Sequence, residues 1–222
     1  MDLIKHLIAP YLNYSWQQIS LESTAALFGL LSVFFSAKKN IWVYPTGIIS
    51  TCIYVYILYH FGLWGDMLIN IYYTSISIYG WVKWAKSTED RIHVKVSRAT
   101  RKDWLVCSIL FTFSILLVSL IYYYKPYINN NFSMIGIVLD LSHLDKANYM
   151  DIFTTSLFLI AMWLMAEKKI ENWWFWIIAD VISIPMMVYK DLNITAIQYL
   201  IFTIICIIGY INWKKSIQNT IK

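Results

Sequence analysis

Trp173, Trp176 and Asp180 stand at i, i+3 and i+7 of the stretch ENWWFWIIAD, within a run otherwise apolar enough to enter a bilayer. On a helix they form one stripe, continued by Ser183 and Met187. An aspartate at the centre of a membrane helix costs roughly 2.5–3.5 kcal/mol on insertion scales, so the stripe is expected to face protein or a water-filled cavity. Flat indole rings beside a carboxylate suit a flat cation. The rings offer stacking and cation–π attraction, on the order of 1–2 kcal/mol when desolvated, and the carboxylate offers charge and hydrogen bonding. A second polar set, Asp66, Asn70, Tyr73 and Ser77, recurs at i, i+4, i+7 and i+11. A third comprises Thr195, Gln198 and Tyr199 within another apolar run, and Asn172 opens the tryptophan motif itself. The candidate binding residues are therefore Asn70, Tyr73, Ser77, Asn172, Trp173, Trp176, Asp180, Gln198 and Tyr199. Plainer roles compete for several of them. Trp173, and still more Trp174, fits an interfacial aromatic belt; Asp66 fits a helix cap; membrane helices also use Asn and Gln as interhelical contacts.

The elements that must position these side chains are membrane helices. The chain has 222 residues, 59% hydrophobic and only 14% charged, too little charge to cover the surface of a soluble domain of that length. Seven candidate spans cover roughly 20–37, 41–60, 64–83, 103–124, 149–166, 172–190 and 193–212. Sorting the 18 Lys and Arg by alternate sides leaves only Lys5, Lys125, Lys146 and Lys190 on one side, against fourteen on the other. The positive-inside rule then puts the N-terminus outside and the C-terminus in the cytoplasm, which requires an odd number of spans. Residues 1–19 read as an N-terminal interfacial segment with Tyr14 and Trp16 at headgroup level, not as a cleaved signal peptide. Residues 85–102 read as a basic cytoplasmic loop, and 125–148 as an outer loop whose SMIGIVLDLSHL stretch suits an interfacial helix.

The spans repeat. Glu22 and Asp151 open the first and fifth, 129 positions apart, and Lys39 and Lys168 share that separation. YGWVKWAK (79–86) lies over IGYINWKK (208–215) at the same offset, matching Gly80 with Gly209 and Trp84 with Trp213. The intervening KKNIWVYP and KKIENWWFW correspond with a local displacement of three residues at Asn40 and Asn172. These matches indicate a duplicated three-helix unit in parallel orientation: a first repeat over 20–84, a linker helix and loops over 85–148, a second repeat over 149–213 and a tail over 214–222. Transporters built this way hold substrate near the membrane midplane between the repeats.

Other functions lack their chemistry. Cys52, Cys107 and Cys206 are scattered through apolar runs at no metal-like spacing, which suits packing and not a disulfide framework or zinc. His6, His60, His93 and His143 lie at span ends or in loops, beside no nucleophile motif. The net charge of +5 is spread between the spans and calls for no nucleic acid. A retinal protein would carry a lysine midway along the last span, and 193–212 has none. No phosphate loop is present, so no cofactor is expected and transport would be driven by a gradient or by a separate partner. A structural or assembly subunit is the remaining class; there, changing Trp176 or Asp180 would alter stability but not solute uptake.

The W-x-x-W-x-x-x-D pattern at Trp173, Trp176 and Asp180 in KKIENWWFWIIADVIS resembles the PnuC family of bacterial nicotinamide riboside transporters. So do the YGWVKW and GYINW ends and the acidic openers Glu22 and Asp151, and the likeness runs from about residue 20 onward. The resemblance implies an all-α integral membrane protein of seven helices in a three-plus-one-plus-three arrangement, similar in topology to SWEET sugar transporters. It would sit in the cytoplasmic membrane as a homo-oligomer, commonly a trimer. It implies uptake by facilitated diffusion, with a cytoplasmic kinase trapping the substrate by phosphorylation. Carried over, Trp173 and Trp176 would pack around the pyridinium ring, while Asp180, Gln198 and Asn70 would bond its polar edges. Many nicotinamide riboside carriers of this family have Asn at the last motif position, where this chain has Asp180. A carboxylate there also suits the aminopyrimidine of thiamine, the substrate associated with some relatives.

Overall fold

The computed structural model describes residues 15–61, 64–86, 93–130, 132–142, 144–189 and 193–221. Within them the chain is helical: α1 (Trp16–Ala37), α2 (Val43–His60), α3 (Trp64–Ala85), α4 (Arg101–Tyr123), α5 (Lys125–Asn129), α6 (Lys146–Ala166), α7 (Asn172–Tyr189) and α8 (Asn193–Ile221). Start signals are local. Ser15 with Gln18 and Thr100 with Asp103 form reciprocal capping boxes on α1 and α4, and the Asp145 carboxylate accepts the Asn148 amide at the head of α6. Four helices, α1, α4, α6 and most of α8, are long and apolar enough by composition to cross a membrane. Residues 1–14, including Tyr14 of the expected interfacial segment, lie outside the described residues, as do Lys190, His143 and much of the basic loop. The expected helix over SMIGIVLDLSHL is absent: residues 132–142 form turns, and the only helix of that loop among the described residues is the five-residue α5, started by Pro126.

Six helices close a ring. α1 packs on α2, α2 on α3, α3 on α6, α6 on α7, α7 on α8, and α8 back on α1. α4 lies outside, against α6. This placement explains the burial pattern. α6 is wedged between α3, α4 and α7, and its residues from Thr154 to Leu157 are all buried. α4 instead turns Leu105, Ile109, Phe113 and Leu116 outward, each at least 60% exposed, as lipid-facing apolar side chains are.

At one end of the ring the two connections with paired lysines adopt the same geometry. Lys39 and Lys168 both have left-handed backbone, φ 58° and 60°. Asn40 N–H bonds Phe35 O and Lys169 N–H bonds Leu164 O, each at 2.9 Å. Val43 N–H to Asn40 O and Asn172 N–H to Lys169 O follow, both at 3.1 Å. Every one of these pairs keeps the separation of 129 that also divides Ser36 from its partner Met165. The expected three-residue displacement between Asn40 and Asn172 is therefore not seen in the backbone. Sequence likeness had aligned the two asparagines, whereas the turn geometry places Asn40 with Lys169 and Tyr44 with Trp173.

Residues 93–100 run across both turns. Val94 N–H bonds Lys39 O at 3.2 Å, and Ser97 N–H bonds Lys168 O at 3.0 Å. Val94 is 1% exposed and belongs to the same core as Trp84 and Trp213. This strap fixes the basic end of the ring, where the Lys169–Asp103 ion pair also ties it to α4. Burial lowers the pKa of Lys168 in the second turn below the ordinary lysine value.

Candidate functional site

The ring encloses a cavity of about 460 Å³, within the roughly 300–1,000 Å³ typical of small-molecule sites. It runs from Leu58 and Asp66, at the α2–α3 end, to Ser36, Val43 and Trp173 near the lysine turns. Asn70, Tyr73 and Ser77 of α3 line it, as do Trp176 and Asp180 of α7 and Gln198 and Tyr199 of α8. Eight of the nine residues expected from sequence thus meet in one space. Asn172 does not: it is fully buried, and its amide donates to Lys169 O in the turn before α7. Its role there is to hold the turn that aims Trp173.

Three aromatic rings make one wall. Phe158 lies 5.5 Å from Trp176, tilted by 39°, and stacks on Tyr199 at 6.0 Å and 12°. Asp180 on α7 is 2% exposed, and its hydrogen-bond partner is the Cys206 thiol of α8 at 3.8 Å. No ion pair to Asp180 exists among the described residues. The Gln198 amide makes no hydrogen bond among them either, which leaves its carbonyl and amino groups open to an occupant. Among the described lining residues there is no Lys, Arg or His. The acidic side chains lining the space are Asp66 and Asp180.

The opposite wall was missed by the sequence reading. Ala25, Gly29, Ser32 and Ser36 of α1, with Gly47, Ser50 and Thr51 of α2, give it small side chains. Their hydroxyls are turned to helix packing: Ser32 donates to Val43 O and Ser50 to Ala25 O, both at 2.8 Å, and Thr51 pairs with Thr74 at 2.7 Å. The signal was present as small residues at spacings of three and four, but that pattern equally marks close helix contacts.

Four rings plug the basic end. Tyr44 meets Trp84 at 5.1 Å and Trp173 meets Trp213 at 5.4 Å, both edge-on at 89°, and Trp84 lies 6.1 Å from Trp213. All four are at most 1% exposed. The Trp84 indole donates to Ala166 O at 3.2 Å and that of Trp213 to Ser36 O at 2.9 Å, so each half of the chain bonds the other. Gly80 and Gly209 are needed for this packing. A Cβ on Gly80 would lie 2.5 Å from the Tyr44 ring, and one on Gly209 2.5 Å from the Trp173 ring. The Tyr44 hydroxyl and the Trp173 indole N–H are buried without a hydrogen-bond partner among the described residues. Trp173 thus serves as the floor of the cavity and part of the plug beneath it.

A closed ring of helices around an aromatic, acidic cavity calls for comparison with proteins that pass solutes through membranes. The sequence profile of the nicotinamide mononucleotide transporter family matches residues 19–215. The chain belongs to this family. Members are membrane transporters and not enzymes, and this one resembles those called PnuC. It is 24% identical to the nicotinamide riboside transporter PnuC of Escherichia coli K12, over 93% of this chain and 88% of that protein. It is 27% identical to the protein of the same name from Neisseria mucosa, over 90% of this chain and 73% of that one. It superposes on the crystal structure of a vitamin B3 transporter PnuC with a TM-score of 0.64, at 25% identity, covering 90% of this chain and 82% of the other.

Proposed function

We propose that this multi-pass membrane protein carries nicotinamide riboside into the bacterial cytoplasm by facilitated diffusion. One observation carries the reading: the cavity offers a flat aromatic wall and the buried Asp180, with no cation among the described residues lining it. A planar pyridinium supplies the missing charge, stacks on Trp176, Phe158 and Tyr199, and presents a carboxamide and ribose to Gln198 and Asn70. The family is described as carrying the mononucleotide, and two relatives are named for the riboside. A phosphate in this cavity would meet carboxylates and no cation among the described lining residues, which favours the riboside.

Seven membrane crossings fit seven helices of 18–29 residues, α1–α4 and α6–α8. In this reading α1–α3 and α6–α8 are the two repeats, supported by the spacing of 129 in the lysine turns, and α4 is the linker. Lys38, Lys39, Lys168, Lys169 and Lys214 gather at the plugged end, supporting a cytoplasmic assignment for that end. The cavity then faces outward, with the four-ring plug as the barrier that alternating access must open. No coupling ion enters the scheme; phosphorylation by a cytoplasmic kinase would keep the gradient inward. The apolar outer face of α4 is available for the expected homo-oligomer, a trimer in this reading.

A second reading, thiamine, rests on Asp180, whose carboxylate could pair with an aminopyrimidine. Proteoliposome uptake of labelled nicotinamide riboside, nicotinamide mononucleotide and thiamine separates the three. The riboside is expected to enter saturably and the mononucleotide to remain outside. Preferential thiamine entry would replace the substrate, and entry of none above empty liposomes would end the assignment.

A further inference from the structure

A second pocket opens at the basic end, outside the ring. It has a volume of about 280 Å³ and is bounded by the strap, the start of α7 and the last turns of α8. Arg98 and Lys214 bring positive charge to it, Gln218 an amide, and Trp174 with Tyr210 an aromatic edge at 5.1 Å. Lys214 stands over the Tyr210 ring at 5.8 Å, and neither cation has an ion pair among the described residues. The carboxylate of the pocket, Glu171, is engaged through Oε2 by the Ala99 N–H at 2.8 Å, so it anchors the strap beside Arg98.

What continues from the pocket identifies its occupant. Trp174, Ile178 and Val181 fall on one face of α7 and are 50%, 45% and 50% exposed. Ile207 precedes Tyr210 by one turn on α8 and is 45% exposed. A polar, cationic pocket thus sits at the foot of an apolar surface that rises toward the membrane centre, with Trp and Tyr at the boundary as interfacial aromatics are. An inorganic anion would use the pocket alone, whereas an amphiphile uses both parts. We propose that Arg98, Lys214 and Gln218 bind the phosphodiester headgroup of an anionic phospholipid, with its acyl chains against the exposed faces of α7 and α8. Positions 129 earlier do not reproduce the pocket: Ala85 corresponds to Lys214 and Pro45 to Trp174. The site therefore has no counterpart in the first repeat: Arg98 of the strap joins residues of α7 and α8 to form it, and lipid held there braces the strap against both helices.

The test is native mass spectrometry of the purified full chain, exchanged into phosphatidylglycerol or phosphatidylcholine, with the double variant Arg98→Gln/Lys214→Gln alongside. Basic residues near a membrane surface contribute about fivefold each to anionic lipid binding, so the pair is expected to lower phosphatidylglycerol affinity on the order of 20-fold. Binding of phosphatidylcholine should be unchanged. The charge-retaining Arg98→Lys and the control Lys102→Gln, at a lysine that does not line the pocket, are expected to keep most of the selectivity. Equal binding of both lipids by the wild type, or a double variant that retains its preference for phosphatidylglycerol, overturns the proposal. So does inorganic phosphate stabilising the chain as well as phosphatidylglycerol does, which would indicate a free anion. Loss of oligomer mass in the double variant without loss of lipid selectivity would assign the surface to a second copy of the chain.

Discussion

In the proposed function Asp180 and Trp176 carry the binding chemistry at the scale of single residues, and they separate charge from stacking. Asp180→Asn keeps the shape and hydrogen-bonding capacity but removes the charge, so nicotinamide riboside uptake should persist with weaker binding. Trp176→Ala removes a face of the aromatic wall worth on the order of 1–2 kcal/mol, a loss of about five- to thirtyfold in apparent affinity. Initial uptake rates over a substrate series measure both, with thermal stability as the control; stability lost in step with uptake would favour an assembly role. Cys206 supplies an independent readout, because its thiol lies 3.8 Å from Asp180 on the cavity wall. Nicotinamide riboside should slow its alkylation by a small neutral reagent, and an unchanged rate would contradict occupancy of this cavity. These residues were legible in the sequence because a buried acid at helical spacing from two tryptophans has few inexpensive explanations. Phe158 was not, since a phenylalanine in an apolar run looks the same facing lipid or cavity.

Among the elements, α3 turns its whole polar stripe toward the cavity, whereas α7 turns Trp173, Trp176 and Asp180 there but buries Ser183 and Met187 outside the cavity lining, Met187 against Ala147 and Ala196. α1 and α2 did not announce themselves, because their cavity faces are made of small residues that spacing alone assigns to close packing. The lysine turns show another limit of sequence reading. Asn40 and Asn172 look alike, yet the left-handed lysines set the correspondence, and the backbone takes precedence over residue identity. The absence of a helix over the described residues 133–142 has a similar cause: Gly136, at φ 76°, interrupts the apolar run and favours turns. The plug gives the sharpest element-level prediction. Gly209→Ala forces the Trp173 ring to move, and overpacking of this kind costs about 1–3 kcal/mol. It should lower the melting temperature and the uptake rate together, whereas Ala at the open Gly136, with nothing within 4 Å of a Cβ, should strain the loop but spare uptake.

For the whole molecule, composition and charge patterning foretold a helical membrane protein, and the family and the solved relative agree with that. The closed order of the ring was beyond sequence reading, because it depends on α1 meeting α8 and α3 meeting α6, pairs far apart in the chain. In the proposed function, a ring with a plug at one end and Asp66 at the other passes one solute at a time down its gradient. Collapsing proton and sodium gradients should therefore leave the initial uptake rate unchanged in proteoliposomes, and a dependence on either ion would contradict uniport. The most direct measurement is a structure of the chain with nicotinamide riboside bound. The pyridinium should lie against Trp176, Phe158 or Tyr199 with Asp180 beside it, above an intact plug. A ligand seated elsewhere, with these rings closed on one another and Asp180 paired to protein, would contradict the account.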